Sequence, residues 1–217
     1  MSKKEIENSR APNEDKNFGA AVDALRRGDV IVFPTETLYG LGADALNGEA
    51  IDKVFQLKGR DPRNPLPVLV ADEDMLHSLV AGIPPLARKL MDRFWPGPLT
   101  LVLPAREDIP QPLLNASGGV GVRISSEPLA TKLLKALGRP LTATSANPSG
   151  KEPARTVDTA RTYFAGKVKV FLDGGTLKSK SGSTVVEVTG DKIEIVREGE
   201  INAVELERFR GNEKFQR

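Results

Sequence analysis

Hydrophobic spacing along the chain switches repeatedly between a helical and a strand period. Phe18, Ala21, Val22 and Leu25 recur at helical spacing, and Arg26, Arg27 and Gly28 follow as a basic last turn and a C-cap glycine. Residues 30–33 (VIVF) form a continuous apolar run. This predicts a strand buried on both faces, ended by Pro34 because proline lacks the ladder N–H. The next stretch, 34–42 (PTETLYGLG), ejects Thr35, Glu36, Thr37 and Tyr39 from the end of that strand, while Gly40 and Gly42 free the backbone for a tight loop. Open α/β sheets bind their ligands at such strand ends. Ile51, Val54, Phe55 and Lys58 then share a helical face, with Asn47 as its N-cap.

The alternation continues to the end of the chain. Residues 67–71 (PVLVA) read as a strand and 72–80 as a short helix. A further helix over 84–94 carries Leu86, Leu90, Met91 and Phe94 on one face and stops at the turn Trp95-Pro96-Gly97-Pro98. Residues 99–103 are an apolar strand, and 104–119, rich in Pro, Asn, Ser and Gly, read as a long mobile loop able to close over a site. In 120–124 (VGVRI) the strand period places Arg123 with Gly121, opposite the two valines and Ile124. An arginine on an inner strand requires an anionic partner, from the protein or from a ligand. Leu129, Leu133, Leu134 and Leu137 mark another helix, closed by Gly138 and Pro140. A strand over 141–144, a helix over 157–164, a strand over 168–172 and a hairpin of 184–188 with 192–196 complete the pattern, with a terminal helix around 204–209. The elements predict a single α/β domain over 17–210, between a disordered polar tail (1–16) and a loose end (211–217).

Composition narrows the chemistry. The 217 residues contain no cysteine, which excludes disulfides, thiolate metal sites and a cysteine nucleophile, and fits a reducing cytoplasm. The one histidine, His77, has no neighbouring ligand types and receives no role. With no long apolar run and a charged N-terminus, the protein is expected to be soluble and away from membranes. A balance of 31 Lys plus Arg against 29 Asp plus Glu leaves +2, so any nucleic-acid affinity must come from a local patch.

Two loops stand out against this neutral background. Residues 57–65 (LKGRDPRNP) place Lys58, Arg60 and Arg63 within six positions, and such a loop is a candidate anion site. Favourable interaction of cations with a helix C-terminus is the plainer account of Lys58 alone. Residues 142–150 (TATSANPSG) gather small hydroxyl and amide side chains beside glycine, suited to phosphate, ribose or metal-bound water. The segment does not match a P-loop.

In order along the chain, PTETLYGLG (34–42), Lys58-Gly59-Arg60, FWPGPLT (94–100), Val122-Arg123, SANPSG (145–150) and Ser183-Thr184-Val185-Val186 resemble the YrdC/YwlC family of threonylcarbamoyl-AMP synthases, from about residue 18 to 203. The resemblance implies an open, twisted mixed sheet with flanking helices around a large concave cavity. It also implies synthesis of threonylcarbamoyl-AMP and pyrophosphate from L-threonine, bicarbonate and ATP, with Mg²⁺ accompanying ATP. The product would pass to a transferase complex that modifies tRNA. The family signature falls on Lys58, Arg60, Ser145 and Asn147, as anion-neutralising and nucleotide-holding residues, with Asn64 and Arg197 also on ATP and Thr35, Arg123 and Ser183 placing threonine. Two positions depart from the family: Leu69 stands where many members have histidine, and Gly182 where many have an acidic residue or proline, which bears on amino-acid selectivity. The short length resembles members without the additional C-terminal domain. Two alternatives share the fold: a module binding double-stranded RNA or tRNA, and a carbamoyl-adenylate domain of the hydrogenase-maturation type.

Overall fold

The computed structural model describes residues 12–209. In chain order it runs α1 (Pro12–Arg26), β1 (Ile31–Phe33), β2 (Gly40–Gly42), α2 (Gly48–Lys58), β3 (Val68–Leu69), α3 (Glu73–His77), α4 (Pro85–Phe94) and β4 (Leu99–Pro104). A 3-10 turn (Gln111–Leu113) leads to β5 (Gly119–Arg123), α5 (Pro128–Leu137), β6 (Leu141–Thr142), β7 (Thr144–Ser145), α6 (Val157–Phe164), β8 (Val170–Phe171), the hairpin β9 (Thr184–Thr189) and β10 (Lys192–Arg197), and α7 (Ala203–Glu207). The helix begins at Pro12, inside the stretch expected to be a tail. Proline at a first helical position costs no hydrogen bond, a signal that apolar periodicity does not carry. The rest of the expected tail and the expected loose end lie outside the described residues.

The expected mixed sheet is realised as two. One has the order β7-β2-β1-β8, the other β10-β9-β4-β5-β3-β6. The strand expected over 141–144 instead divides between them, as a segment that extends to Ser145. β6 pairs antiparallel with β3, then β7 pairs antiparallel with β2. At the crossing, Ala143 N donates to Pro67 O at 2.8 Å, and Thr142 N donates to Ala43 O at 2.9 Å while its hydroxyl accepts from Ala43 N. One extended segment thereby joins both sheets.

β2 was not anticipated, because three residues of which two are glycine carry no strand pattern. Packing explains them. A Cβ on Gly42 would lie 2.6 Å from the Phe33 ring, and one on Gly40 would lie 3.3 Å from it. The buried ring of Phe33 thus rests directly on the β2 backbone, and the polar turn after β1 folds back into the sheet.

Apolar side chains fill two clusters. α1 and α5 bury Ala21, Val22, Leu25, Leu133 and Leu134 against Ile31, Phe33, Leu69 and Leu141. The second cluster joins α2, α4 and α6 to the inner faces of both sheets. Asn47 caps α2 as expected, its side chain accepting from Ala50 N. The stretch expected as a mobile lid is instead tied down: Leu113 and Ile109 are buried, Ala105 N donates to Gly118 O, and Asn115 Oδ1 accepts from Gly119 N at 2.8 Å. Its polar composition hid two anchoring apolar side chains.

Because the Phe33 ring leaves no room over Gly42, Gly42→Ala is expected to lower unfolding free energy by roughly 1–3 kcal/mol through overpacking. Gly48→Ala, where the added Cβ meets nothing within 4 Å, is the matched control and should be close to neutral. Urea denaturation of both variants checks this.

Candidate functional site

A cavity of about 190 Å³ opens at the joint between the sheets. The turn between β1 and β2 contributes Thr35 and Thr37 and β2 contributes Gly40, the second sheet contributes Leu69, Thr100 and Arg123, and the joining segment contributes Ala143, Thr144 and Ser145. Arg60, Ser183 and Arg197 close it from loops and the end of β10. Of the residues proposed from sequence, Thr35, Arg60, Arg123, Ser145, Ser183 and Arg197 therefore meet around one space.

Three guanidinium groups converge here. Burial holds Arg197 below its usual value, and the positive charges of Arg123 and Arg60 lower it further. Arg197 keeps exposed surface as a residue, yet its Nη2 is drawn inward to donate to Ser183 O at 2.8 Å. Arg60 is lowered by burial and is fixed by donating Nε to Asn64 O at 2.9 Å and Nη2 to Pro65 O at 3.1 Å. Both contacts use backbone carbonyls, so they hold the cation without neutralising it.

Arg123 is the exception. Its Nη1 donates to Glu36 Oε1 at 2.6 Å, and both side chains are largely buried. The other carboxylate oxygen, Oε2, accepts from the Ser125 hydroxyl. The anionic partner left open by the sequence is thus a protein carboxylate. Burial lowers Arg123 while Glu36 acts in the opposite direction. Arg123 remains part of the cavity wall with Nη1 committed, so Glu36 fixes the plane of the fork.

Hydroxyl groups line the wall beside these cations. Thr35 Oγ1 donates to Leu38 O at 2.7 Å and accepts from the amides of Thr37 and Leu38, a turn that the hydroxyl itself stabilises. Ser183 Oγ lies 2.8 Å from Thr100 Oγ1. The loop leading to it is held by Glu200, whose Oε1 accepts from Ser179 and Ser181 at 2.6 Å each. Tyr39, also at the wall, donates to Gly175 O at 2.7 Å and accepts from Gly174 N, and burial first pushes its hydroxyl up to about 12.

Lys58 and Asn64 do not join this wall as expected. Lys58 is buried, and its ammonium donates to Ser145 O at 2.6 Å and Asn147 O at 2.8 Å, while its own carbonyl accepts from Ser149 N. Its position at the end of α2 turns the side chain behind the 145–149 loop, where it clamps that loop to the helix. Burial, aided by Arg60, lowers it to about 8. Asn64 is exposed and contributes its carbonyl to Arg60. A side chain in a turn of Pro and Gly can face either way, and sequence cannot tell which. Asn147 also lies behind the wall, its Nδ2 donating to Pro148 O and Lys151 O. Its Oδ1 is a buried oxygen with no hydrogen-bond partner. Glu36, Ser125 and Thr100 were missed. For Glu36 the signal was present, an acidic residue in the polar turn together with an inner-strand arginine needing an anion.

Residues 23–199 match the family model Sua5_yciO_yrdC, described as telomere recombination. The chain belongs to the Sua5/YciO/YrdC family. It is 38% identical over 206 residues to the threonylcarbamoyl-AMP synthase of Pyrococcus abyssi (strain GE5 / Orsay), an alignment covering 95% of this chain and 61% of that protein. Identity to the threonylcarbamoyl-AMP synthase of Bacillus subtilis (strain 168) is 38% over 194 residues, covering 89% of this chain and 56% of the relative. The chain thus spans less than two thirds of the length of these two relatives. The crystal structure of P. abyssi Sua5 complexed with L-threonine superposes with a TM-score of 0.86 at 39% identity, covering 91% of this chain and 58% of that one. Leu69 and Gly182, the two positions expected to depart from the family pattern, both line the cavity. A Cβ at Gly182 would meet Arg197 Nη2 at 3.4 Å and Leu38 Cδ1 at 3.7 Å, so glycine leaves that wall open.

Two outcomes follow from the buried charges. Removing Glu36 strands the Arg123 charge, so Glu36→Ala is expected to lower unfolding free energy by roughly 3–5 kcal/mol, against a near-zero effect for Glu152→Ala on the exposed surface; chemical denaturation distinguishes them. Lys58 gives a pH signature. Above pH about 8 the folded protein has released the Lys58 proton, whereas the unfolded chain keeps it to roughly pH 10.4. The unfolded state then binds more protons, and stability rises with pH across that window. The wild type should therefore gain on Lys58→Met by up to about 1.4 kcal/mol per pH unit there. Urea titrations between pH 7 and 10 measure it, and a flat difference would refute the lowered lysine.

Proposed function

We propose that this protein makes threonylcarbamoyl-AMP and pyrophosphate from L-threonine, bicarbonate and ATP, in the cytoplasm, to supply a transferase complex that modifies tRNA. The observation that carries this reading is the convergence of Arg60, Arg123 and Arg197 on one small cavity, with Arg60 and Arg197 held largely by backbone carbonyls. Cations held without carboxylate partners await anions, and this reaction gathers a triphosphate, a carboxylate and a carbamate in one place. Family membership and the similarity to two named threonylcarbamoyl-AMP synthases support the assignment.

The amine of threonine takes up bicarbonate with loss of water, giving a carbamate. A carbamate oxygen then bonds to the α-phosphorus of ATP as the bond from that phosphorus to pyrophosphate breaks. No protein nucleophile is needed. The chain's work is to bring anions together against their repulsion and to stabilise charge at phosphorus, which preorganised cations do. Arg123, its orientation set by Glu36, forks the threonine carboxylate, with Thr35 and Ser183 beside it. Arg60 and Arg197 face the phosphates. Lys58 acts through the loop it clamps, presenting Ser145 to the nucleotide. The open wall at Gly182 and the apolar Leu69 border the amino-acid end and shape which side chain is accepted.

Mg²⁺ would enter with ATP, and the residues present suit it. Among the described residues no group of three or more His, Asp or Glu could hold a metal, so the ion relies on phosphate oxygens and waters, the usual habit of Mg²⁺. The Ser145 hydroxyl in the cavity wall is the hard oxygen donor the chain would offer such an ion, whereas the unpartnered Asn147 Oδ1 lies buried behind that wall. When bound, the ion neutralises phosphate charge.

Pyrophosphate release from ATP is expected to require threonine and bicarbonate together, because the attacking oxygen exists only after they combine. Arg60→Ala should cut that release by roughly a hundredfold or more while the protein stays folded by circular dichroism. Release in the absence of both co-substrates would refute the synthase reading.

A further inference from the structure

We infer that the protein carries a second ligand site, for a small organic anion the size of a nucleoside monophosphate, at the opposite end of β1 from the cavity described above. Thr35, just past the C-terminal end of β1, lines the first cavity; Val30, just before its N-terminal end, lines the second. The two share no wall residue. This second cavity measures about 450 Å³ against about 190 Å³ for the first, within the range of small-molecule pockets.

Its chemistry is two-sided. The turn after α1 supplies Arg27, the outer face of α2 supplies Lys53, and the chain approaching β8 supplies Lys167 and Lys169. Asp29 is the one carboxylate in the wall, and it already serves both Arg27, at 3.3 Å, and Lys53, at 3.9 Å. Lys53 is further oriented by donating to Gly28 O at 2.8 Å. Lys167 and Lys169 have no ion pair among the described residues, so the rim carries an excess of positive charge. A solvated basic face would account for the lysines alone. It does not account for a concavity of this size whose floor is the outer edge of the two apolar clusters, at Ala24, Val30, Leu57 and Val170. A floor of this kind takes a flat apolar group, while the rim takes a phosphate or carboxylate attached to it. Gln56 adds a neutral amide that can pair with a ring edge.

Lys53, Gln56 and Leu57 occupy the same final turns of α2 as Lys58, whose ammonium clamps the 145–149 loop on the other side. A ligand in the second cavity therefore bears on the helix that sets that clamp.

The test is a titration of AMP into the full isotope-labelled chain, followed by amide resonances. Saturable shifts are expected at residues 27–30, 53–57 and 167–170, separately from any at 35, 60, 145 and 183. A Lys167→Glu/Lys169→Glu double variant should weaken the first set by roughly tenfold or more and leave the second set and the melting temperature unchanged. Inorganic phosphate and adenosine alone should each bind the second cavity at least about tenfold more weakly than AMP. Shifts confined to the second set, insensitivity of the first set to the charge reversal, or phosphate alone matching AMP would each overturn the inference.

Discussion

Like charges held close together in a protein repel strongly once water is partly excluded, and the site in this chain is built around managing that repulsion. Arg60, Arg123 and Arg197 face one cavity, and burial as well as their mutual charge lowers Arg197. Of the three, Arg123 alone receives a full counter-charge among the described residues, from Glu36, and that pair is itself buried and anchored by Ser125. Arg60 and Arg197 are restrained by neutral carbonyl oxygens, which fix position and leave the positive potential available. Such an arrangement costs the folded protein stability, because like charges repel more strongly where water is partly excluded.

The fold is arranged to keep these groups in register. A single segment, 141–145, leaves one sheet and enters the other, and the cavity lies at that crossing. Each arginine approaches from a different part of the chain: the loop just past α2, the end of β5 and the end of β10. Placement at or just past the ends of elements anchored in two apolar clusters ties each guanidinium to the packed part of the fold.

Lys58 illustrates how a signature residue can serve a site from behind. The side chain is buried, and its two donated hydrogen bonds hold carbonyls of the loop that carries Ser145 and Asn147. Burial lowers the ammonium to about 8, so the clamp is an expensive one for the fold. Its position is consistent with a residue that shapes the loop, while Arg60, two positions on, reaches the cavity itself.

Local periodicity alone determined the helices α2, α4, α5 and α6, the strands β1, β4 and β5, the β9–β10 hairpin, the cap at Asn47 and the two polar loops, because those signals are complete within a few residues. The ordered motifs likewise brought six of the nine proposed site residues to one cavity. Tertiary structure decided the rest. β2 is a strand because the Phe33 ring needs glycine beside it, and 141–145 serves two sheets because each half finds a different partner. Glu36 and Arg123 are 87 positions apart, as are Lys58 and Ser145. Whether a buried charge finds a carboxylate, a carbonyl or a ligand depends on which distant segment packs against it, and no short-range pattern of residues encodes that choice.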